Sequence, residues 1–244
     1  MKHYIFIVLL LCSIKLHSQL FGGAMVNSPK ETVTFTYKGQ TVTYGVVRSS
    51  TGRKWLDRNL GASQVATSST DVAGYGDMFQ WGRLDDGHQN RNSSTTSTLS
   101  STDVPGNNLF ITNSSSPLTD PIDWRSPQNN NLWQGLSGTN NPCPTGFRIP
   151  TFNEFYLESL TWSSNNAAGA IASPLKLPMA GYRDAAVGSY VGTEGNSASY
   201  WNSDTFSYDQ VKFYSYASTF SSNNSVSGSL TRRANGSSVR CIKD

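Results

Sequence analysis

Two cysteines, Cys143 and Cys241, constrain this chain more than anything else in its sequence. They stand about 100 residues apart, so a bond between them would fasten the last residues to the middle. On the chain-entropy account it would stabilise the fold by roughly 4 to 5 kcal/mol. Whether they pair depends on where the protein works. Met1, Lys2 and His3 are followed by an apolar run from Tyr4 to Ile14 and by the polar exit Lys15-Leu16-His17-Ser18-Gln19. That is the layout of a secretory leader, and it falls short of the roughly 20 apolar residues that span a bilayer. Residues 1–19 are therefore expected to be a signal peptide. The remainder, 20–244, is expected to be exported to the periplasm, the outer-membrane surface or the extracellular space. A lipid anchor on Cys12 is the rival reading, but the large Leu11 stands where a small residue is wanted. In an oxidising compartment an isolated even pair is most simply a disulfide. A reactive thiol and half of a metal site are the alternatives, and both lack company: His88 is the only histidine outside the leader.

The chain carries 19 Lys and Arg against 16 Asp and Glu. Two of the lysines, Lys2 and Lys15, belong to the leader, which leaves the mature part close to neutral. Without a basic stripe, nucleic acid is not an expected partner. No second long apolar stretch follows the leader, so no transmembrane segment is expected.

From Glu31 to Val47 the sequence alternates apolar residues with Thr on both sides of Lys38-Gly39-Gln40, a β-hairpin pattern. Gly52 to Gly61 reads as a strand and its exit turn. Between about 62 and 141 lies a Ser/Asn-rich loop insert in which Tyr75, Phe79, Trp81, Phe110, Trp124 and Trp133 are the expected ties, since polar loops this long need anchors. Asn90 to Ser101 has the fewest anchors and is expected to be the most mobile stretch. A helix is expected over Thr151 to Leu160, because Thr151 and Glu154 have capping-box spacing and Phe152, Phe155, Tyr156 and Leu160 recur at helical spacing. After Ser173 the texture returns to short strands and turns, including Leu175-Lys176-Leu177, Gly181 to Arg183, Ala198 to Ser203 and Gln210 to Tyr216. One α+β domain of short antiparallel strands, one or two helices and long loops is the economical architecture.

Six stretches, taken together and in order, carry a resemblance: Trp55 to Gly61 (WLDRNLG), Gly76 to Arg83 (GDMFQWGR), Asn141 to Thr151 (NPCPTGFRIPT) with Glu154-Phe155, Leu177 to Arg183 (LPMAGYR), Tyr200 to Ser203 (YWNS) and Ser238 to Cys241 (SVRC). Over about Thr41 to Asp244 the chain resembles the bacterial family called the Fibrobacter succinogenes major paralogous domain, which belongs with C-type-lectin-like folds. The resemblance implies an exported surface or envelope protein with binding loops over a stapled base and no shared enzymatic activity. It names no ligand.

Most motif residues have structural work. Cys143 pairs, Pro144 and Gly146 shape a turn, Pro150 sets the helix entrance and Glu154 closes the capping box, which makes Glu154 a poor general acid or base. His88, in Asp85-Asp86-Gly87-His88, reads as part of a solvated loop, since no second histidine completes a metal set or a triad. Calcium is a possible cofactor, because Trp201-Asn202-Ser203-Asp204 faintly echoes the Trp-Asn-Asp element of calcium-dependent lectins. Around it, however, only Asp204, Asp209 and Glu194 offer carboxylates. A structural ion near Asp85, Asp86, Asp120 or Asp123 is the other placement weighed, and six to eight oxygens are wanted in either. No cofactor is the expectation.

Tyr200 to Ser227 crowds aromatics among Ser, Asn and Asp, the composition of a recognition surface. Tyr200, Asn202, Asp204, Tyr208, Tyr214, Tyr216, Asn223 and Asn224 are the expected ligand-binding residues, with a glycan or a protein surface as partner. Part of the segment, Trp201 and Phe213 first, is expected in the core. The expected function is thus a non-enzymatic binding or adhesion module. Alternatives are a display protein diversified by a retroelement, a structural envelope or filament subunit, and an enzyme like the formylglycine-generating enzymes, which would need free thiols.

Overall fold

The computed structural model describes residues 30–113, 123–186, 191–207 and 213–244. The expected leader lies outside the described residues, as do Asp120, Tyr208 and Asp209. Among the described residues no helix is long and apolar enough to cross a membrane.

The first elements are β1 (Thr32–Tyr37), β2 (Gln40–Arg48) and β3 (Lys54–Leu56). The insert contributes β4 (Phe79–Gln80), β5 (Thr95–Thr96) and β6 (Phe110–Ile111), and then come β7 (Phe147–Arg148), α1 (Phe152–Ser159) and α2 (Ala167–Ala172). The rest is strand: β8 (Tyr182–Arg183), β9 (Val191–Gly192), β10 (Ser197–Ser207), β11 (Phe213–Ser221), β12 (Ser227–Thr231), β13 (Gly236–Ser237) and β14 (Ile242–Lys243). The class is α+β.

The expected hairpin is β1 and β2, in register from Thr32 opposite Gly45 to Tyr37 opposite Gln40. Lys38 and Gly39 both take positive φ at its tip, 52° and 73°, the two-residue turn whose twist suits a hairpin. The strained Lys38 is compensated: its N–H donates to Asp85 and its ammonium pairs with Asp77. The hairpin continues into a sheet of order β1-β2-β3-β14-β7, where Ile242 of β14 lies opposite both Trp55 and Arg148. Cys143 and Cys241 form a disulfide with Cα atoms 5.8 Å apart. It ties the residue before β14 to the loop before β7, so the staple sits beside the middle of this sheet.

The α1 capping box is present in both directions: Thr151 Oγ1 accepts the Glu154 N–H and Glu154 Oε2 accepts the Thr151 N–H. Burial works against the Glu154 carboxylate, but the Arg148 guanidinium and the Thr151 N–H outweigh it and hold the carboxyl down to about 2. Helix α2 was not anticipated. Its run AAGAIA has no amphipathic stripe, and the Asn166 side chain caps it by accepting from the Ala168 and Gly169 N–H groups. Leu175 and Leu177, expected on a strand, are instead buried from a loop.

In the insert all six expected aromatic ties are buried. Four buried arginines among and beside them were not legible in the sequence: Arg83, Arg183, Arg233 and Arg240 are at most 1% exposed, and the first three pack on aromatic ties. Arg183 lies 3.9 Å over the Phe110 ring, Arg233 4.4 Å over Trp81 and Arg83 5.5 Å over Trp124. Burial pushes Arg183, Arg233 and Arg240 down to about 10, and they stay charged at neutral pH. Arg240 donates to Asn59 Oδ1 and to the Leu175 carbonyl, while Asn59 Nδ2 donates to the Tyr75 carbonyl and the Tyr200 hydroxyl. Asn90 to Ser101 is less loose than its composition suggested. Arg183 donates to Ser93 Oγ and to the Ser93 carbonyl, β5 pairs in parallel with β6, and Ser100 bridges to Arg125.

His88 requires a correction, because it is fully buried rather than solvated. Its Nε2 accepts the Gln80 N–H, so the proton sits on Nδ1 and is donated to Asp86 Oδ1 at 2.5 Å. Burial lowers its pKa from 6.5 to about 4, against the opposing pull of Asp86. The unfolded chain binds this proton near pH 6.5 while the folded one resists until about pH 4. Stability is therefore full above pH 6.5 and falls as pH drops toward 4, by on the order of 3 kcal/mol. Denaturation of wild type and His88→Gln across pH 7 to 4 checks this, with the variant expected to show the flatter dependence; equal slopes would reject the assignment.

Candidate functional site

The three-stranded sheet β10-β11-β12 forms the site, and its register sorts the side chains. Ser199 lies opposite Thr219, Thr219 opposite Ser227, and Ala217 opposite Ser229. With a period of two, Ser197, Ser199, Thr219, Ser221, Ser227 and Ser229 share one face. Thr219 Oγ1 lies 3.2 Å from Ser227 Oγ and 3.0 Å from Ser229 Oγ, so neighbouring strands form a row of hydroxyls. The opposite face carries Tyr200, Tyr216 and Phe220 and packs on the helices: Tyr200 stacks on Phe220 at 5.9 Å and against Phe155 at 5.6 Å, and Tyr216 stacks on Phe152 at 5.5 Å.

Over the hydroxyl face lies an open groove of about 530 Å³, within the range of small-ligand sites. One side is lined by Tyr182 and Asp184 at the end of β8, the other by Asn224 and Ser225 in the β11–β12 turn, and Arg232 and Asn235 line it between β12 and β13. Several of these groups are already oriented. Asp184 Oδ1 accepts the Ala186 N–H at 2.7 Å, Asn235 Oδ1 accepts the Ala185 N–H at 3.0 Å, and Ser221 Oγ accepts the Asn224 N–H at 3.0 Å. These contacts leave an Asp184 carboxylate oxygen and the Asn235 amide NH2 to act on a ligand.

The expected ligand-binding residues divide. Asn223 and Asn224 are exposed at the β11–β12 turn, and Asn224 lines the groove. Tyr200 and Asn202 are fully buried and meet no surface ligand. The Tyr200 hydroxyl donates to the Pro178 carbonyl, and burial raises its pKa to about 12. Asn202 accepts the Trp81 indole N–H on its carbonyl and the Ser218 hydroxyl on its side chain. Asp204 accepts the Phe152 N–H at 2.6 Å and so steadies the start of α1. Tyr214 and Tyr216 are half-buried on the face away from the groove, Tyr216 within an aromatic row formed by Tyr156, Phe152, Tyr216 and Phe206. Tyr208 lies outside the described residues. As expected, Trp201 is in the core, while Phe213 is half-buried.

Tyr182, Asp184, Arg232 and Asn235 were not anticipated, since they come from segments 40 or more positions apart with no shared local pattern. The hydroxyl floor did leave a signal, the alternation Thr219, Ser221 and then Ser227, Ser229, Thr231. Among the described residues no three His, Cys, Asp or Glu side chains gather as a metal would require. The carboxylates weighed for calcium go elsewhere: Glu194 pairs with Arg91, Asp86 with Arg83 and Asp123 lies 3.7 Å from Arg233. No family model, curated protein or solved structure matches the chain.

Proposed function

We propose that this protein is an exported, non-enzymatic recognition module of C-type-lectin-like fold, and that it binds a glycan in the groove over β10, β11 and β12. The hydroxyl-paved floor carries the reading. Sugar hydroxyls both donate and accept, and Ser and Thr hydroxyls rotate to suit either role. Tyr182 adds an aromatic surface, and Asn224, Asn235 and Asp184 add fixed donors and acceptors at the rim. The bond between Cys143 and Cys241 leaves neither sulfur as the free thiol that a formylglycine-generating-like enzyme needs, and both His88 ring nitrogens are committed within the core.

Support for membership of the Fibrobacter succinogenes major paralogous domain family comes from the way its motif residues meet. Arg240, Asn59 and Tyr200, from three separate stretches, share one buried hydrogen-bond network.

A glycan array followed by calorimetry tests the function. Ser227→Trp fills the groove from an exposed position on the edge strand β12, so it is expected to reduce binding at least tenfold while changing stability by less than about 0.5 kcal/mol. Replacing Tyr214 and Tyr216 by Ala, on the other face, is expected to leave glycan binding intact. Absence of any glycan binding by the wild type, or unchanged binding by Ser227→Trp, rejects the groove.

A further inference from the structure

We infer that the groove selects an acidic glycan, with Arg232 as the anchor for its anionic group; this rests on the glycan reading above. Among the described residues Arg232 is the arginine whose guanidinium makes no hydrogen bond or ion pair; only its backbone carbonyl is engaged, by the Asn235 N–H. Every other arginine is engaged: Arg48 and Arg240 by carbonyl or amide oxygens, Arg53, Arg58, Arg83, Arg91, Arg125 and Arg148 by carboxylates, Arg183 by Ser93, and Arg233 by Ser215 and Asn130. Arg232 is half-buried, lines the groove and directly precedes Arg233. The two neighbours thus divide: Arg233 turns into the core over Trp81, and Arg232 is left at the cavity with its donors unanswered.

A guanidinium offers five N–H donors in a planar fork and no acceptor, which suits a carboxylate or a sulfate far better than a single hydroxyl. The other formal charge lining the groove, Asp184, is an acceptor whose Oδ1 already takes a backbone N–H. It would repel a ligand that is anionic throughout, and it favours one that presents hydroxyl donors there. The complementary ligand carries an anionic group toward Arg232 and neutral hydroxyls toward Asp184. A uronic acid unit and a singly sulfated sugar both have that form.

Calorimetry on the full chain distinguishes the sources and the levels of failure. The probes are a short oligouronate, its carboxyl-reduced neutral counterpart and a sulfated oligosaccharide. The wild type is expected to bind at least one acidic probe about ten- to a hundredfold more tightly than the neutral one, the range of a charge-assisted bidentate contact. Added salt is expected to narrow the gap. Arg232→Gln is expected to abolish the preference by weakening the acidic probe at least tenfold, and Arg232→Lys to keep part of it. Preference for the oligouronate identifies a carboxylate, and preference for the sulfated probe a sulfate. If acidic and neutral probes bind alike, or if Arg232→Gln keeps the preference, the anchor is wrong while the glycan reading stands. If no probe binds and the array is also blank, both fall.

Discussion

Replacing Cys143 and Cys241 together by alanine is expected to lower the unfolding free energy by about 4 to 5 kcal/mol, because the open chain regains the freedom of a loop of roughly 100 residues. The effect is large in this fold because of where the bond sits. Cys241 directly precedes β14, the strand that pairs with β3 on one side and β7 on the other. The three-residue β3 and the two-residue β7 and β14 depend on that pairing. Cys143 lies just ahead of β7, in a turn where the Phe147 N–H donates to the Pro144 carbonyl. Without the bond, the short strands must find one another from a much wider ensemble. Chemical denaturation of the double variant, and of wild type with and without reductant, measures the loss. A difference below about 1 kcal/mol would show that the surrounding packing alone defines this region.

Gln80→Leu is expected to cost about 3 to 5 kcal/mol despite the similar side-chain size. Gln80 is fully buried and saturated: Nε2 donates to the Ile111 carbonyl at 2.8 Å and to the Ala234 carbonyl at 2.6 Å, while Oε1 accepts from the Ile111 N–H at 3.1 Å and from Arg83 at 2.8 Å. Leucine answers none of these groups, and each buried group abandoned costs roughly 1 to 3 kcal/mol. Arg83 retains Asp86, which keeps the total below the simple sum. Urea denaturation of the variant provides the measurement. A cost below about 1 kcal/mol would mean that water replaces the amide, and that the insert is not sealed around Gln80 as the hydrogen bonds imply.

The hairpin, the α1 capping box and the disulfide were legible because each is local or almost without alternatives. A period-two run on either side of Lys38-Gly39, a Thr three residues ahead of a Glu, and a single pair of cysteines beyond the expected leader each have few physical solutions. The six aromatic ties were legible as buried, but not their partners. Arg183 packs on Phe110, and Arg233 on Trp81, from far along the chain. His88 was misread for the same reason. Its neighbours Asp85, Asp86 and Gly87 are turn residues, whereas in the fold its ring packs edge-on against Phe79 and accepts the Gln80 N–H.

The candidate site was legible in its general place and not in its chemistry. Composition drew attention to the aromatics of 200–227, yet in a strand the same segment alternates between two faces. The face with Tyr200, Tyr216 and Phe220 turned inward or onto α1, and of the other face only the end around Thr219, Ser221 and Ser227 was left open, its Trp201, Ala217 and Ser215 being buried. What the amino-acid order made legible by itself was the β1–β2 hairpin, the α1 capping box and the expected pairing of Cys143 with Cys241, since these follow from neighbouring residues or from the lack of other partners. Which strand face the helices cover, which arginines are buried against rings, and which one is left facing a groove were decided by the tertiary structure. Those outcomes depend on contacts between residues distant in sequence, and the periodicity of a single strand is identical whichever of its faces ends up wet.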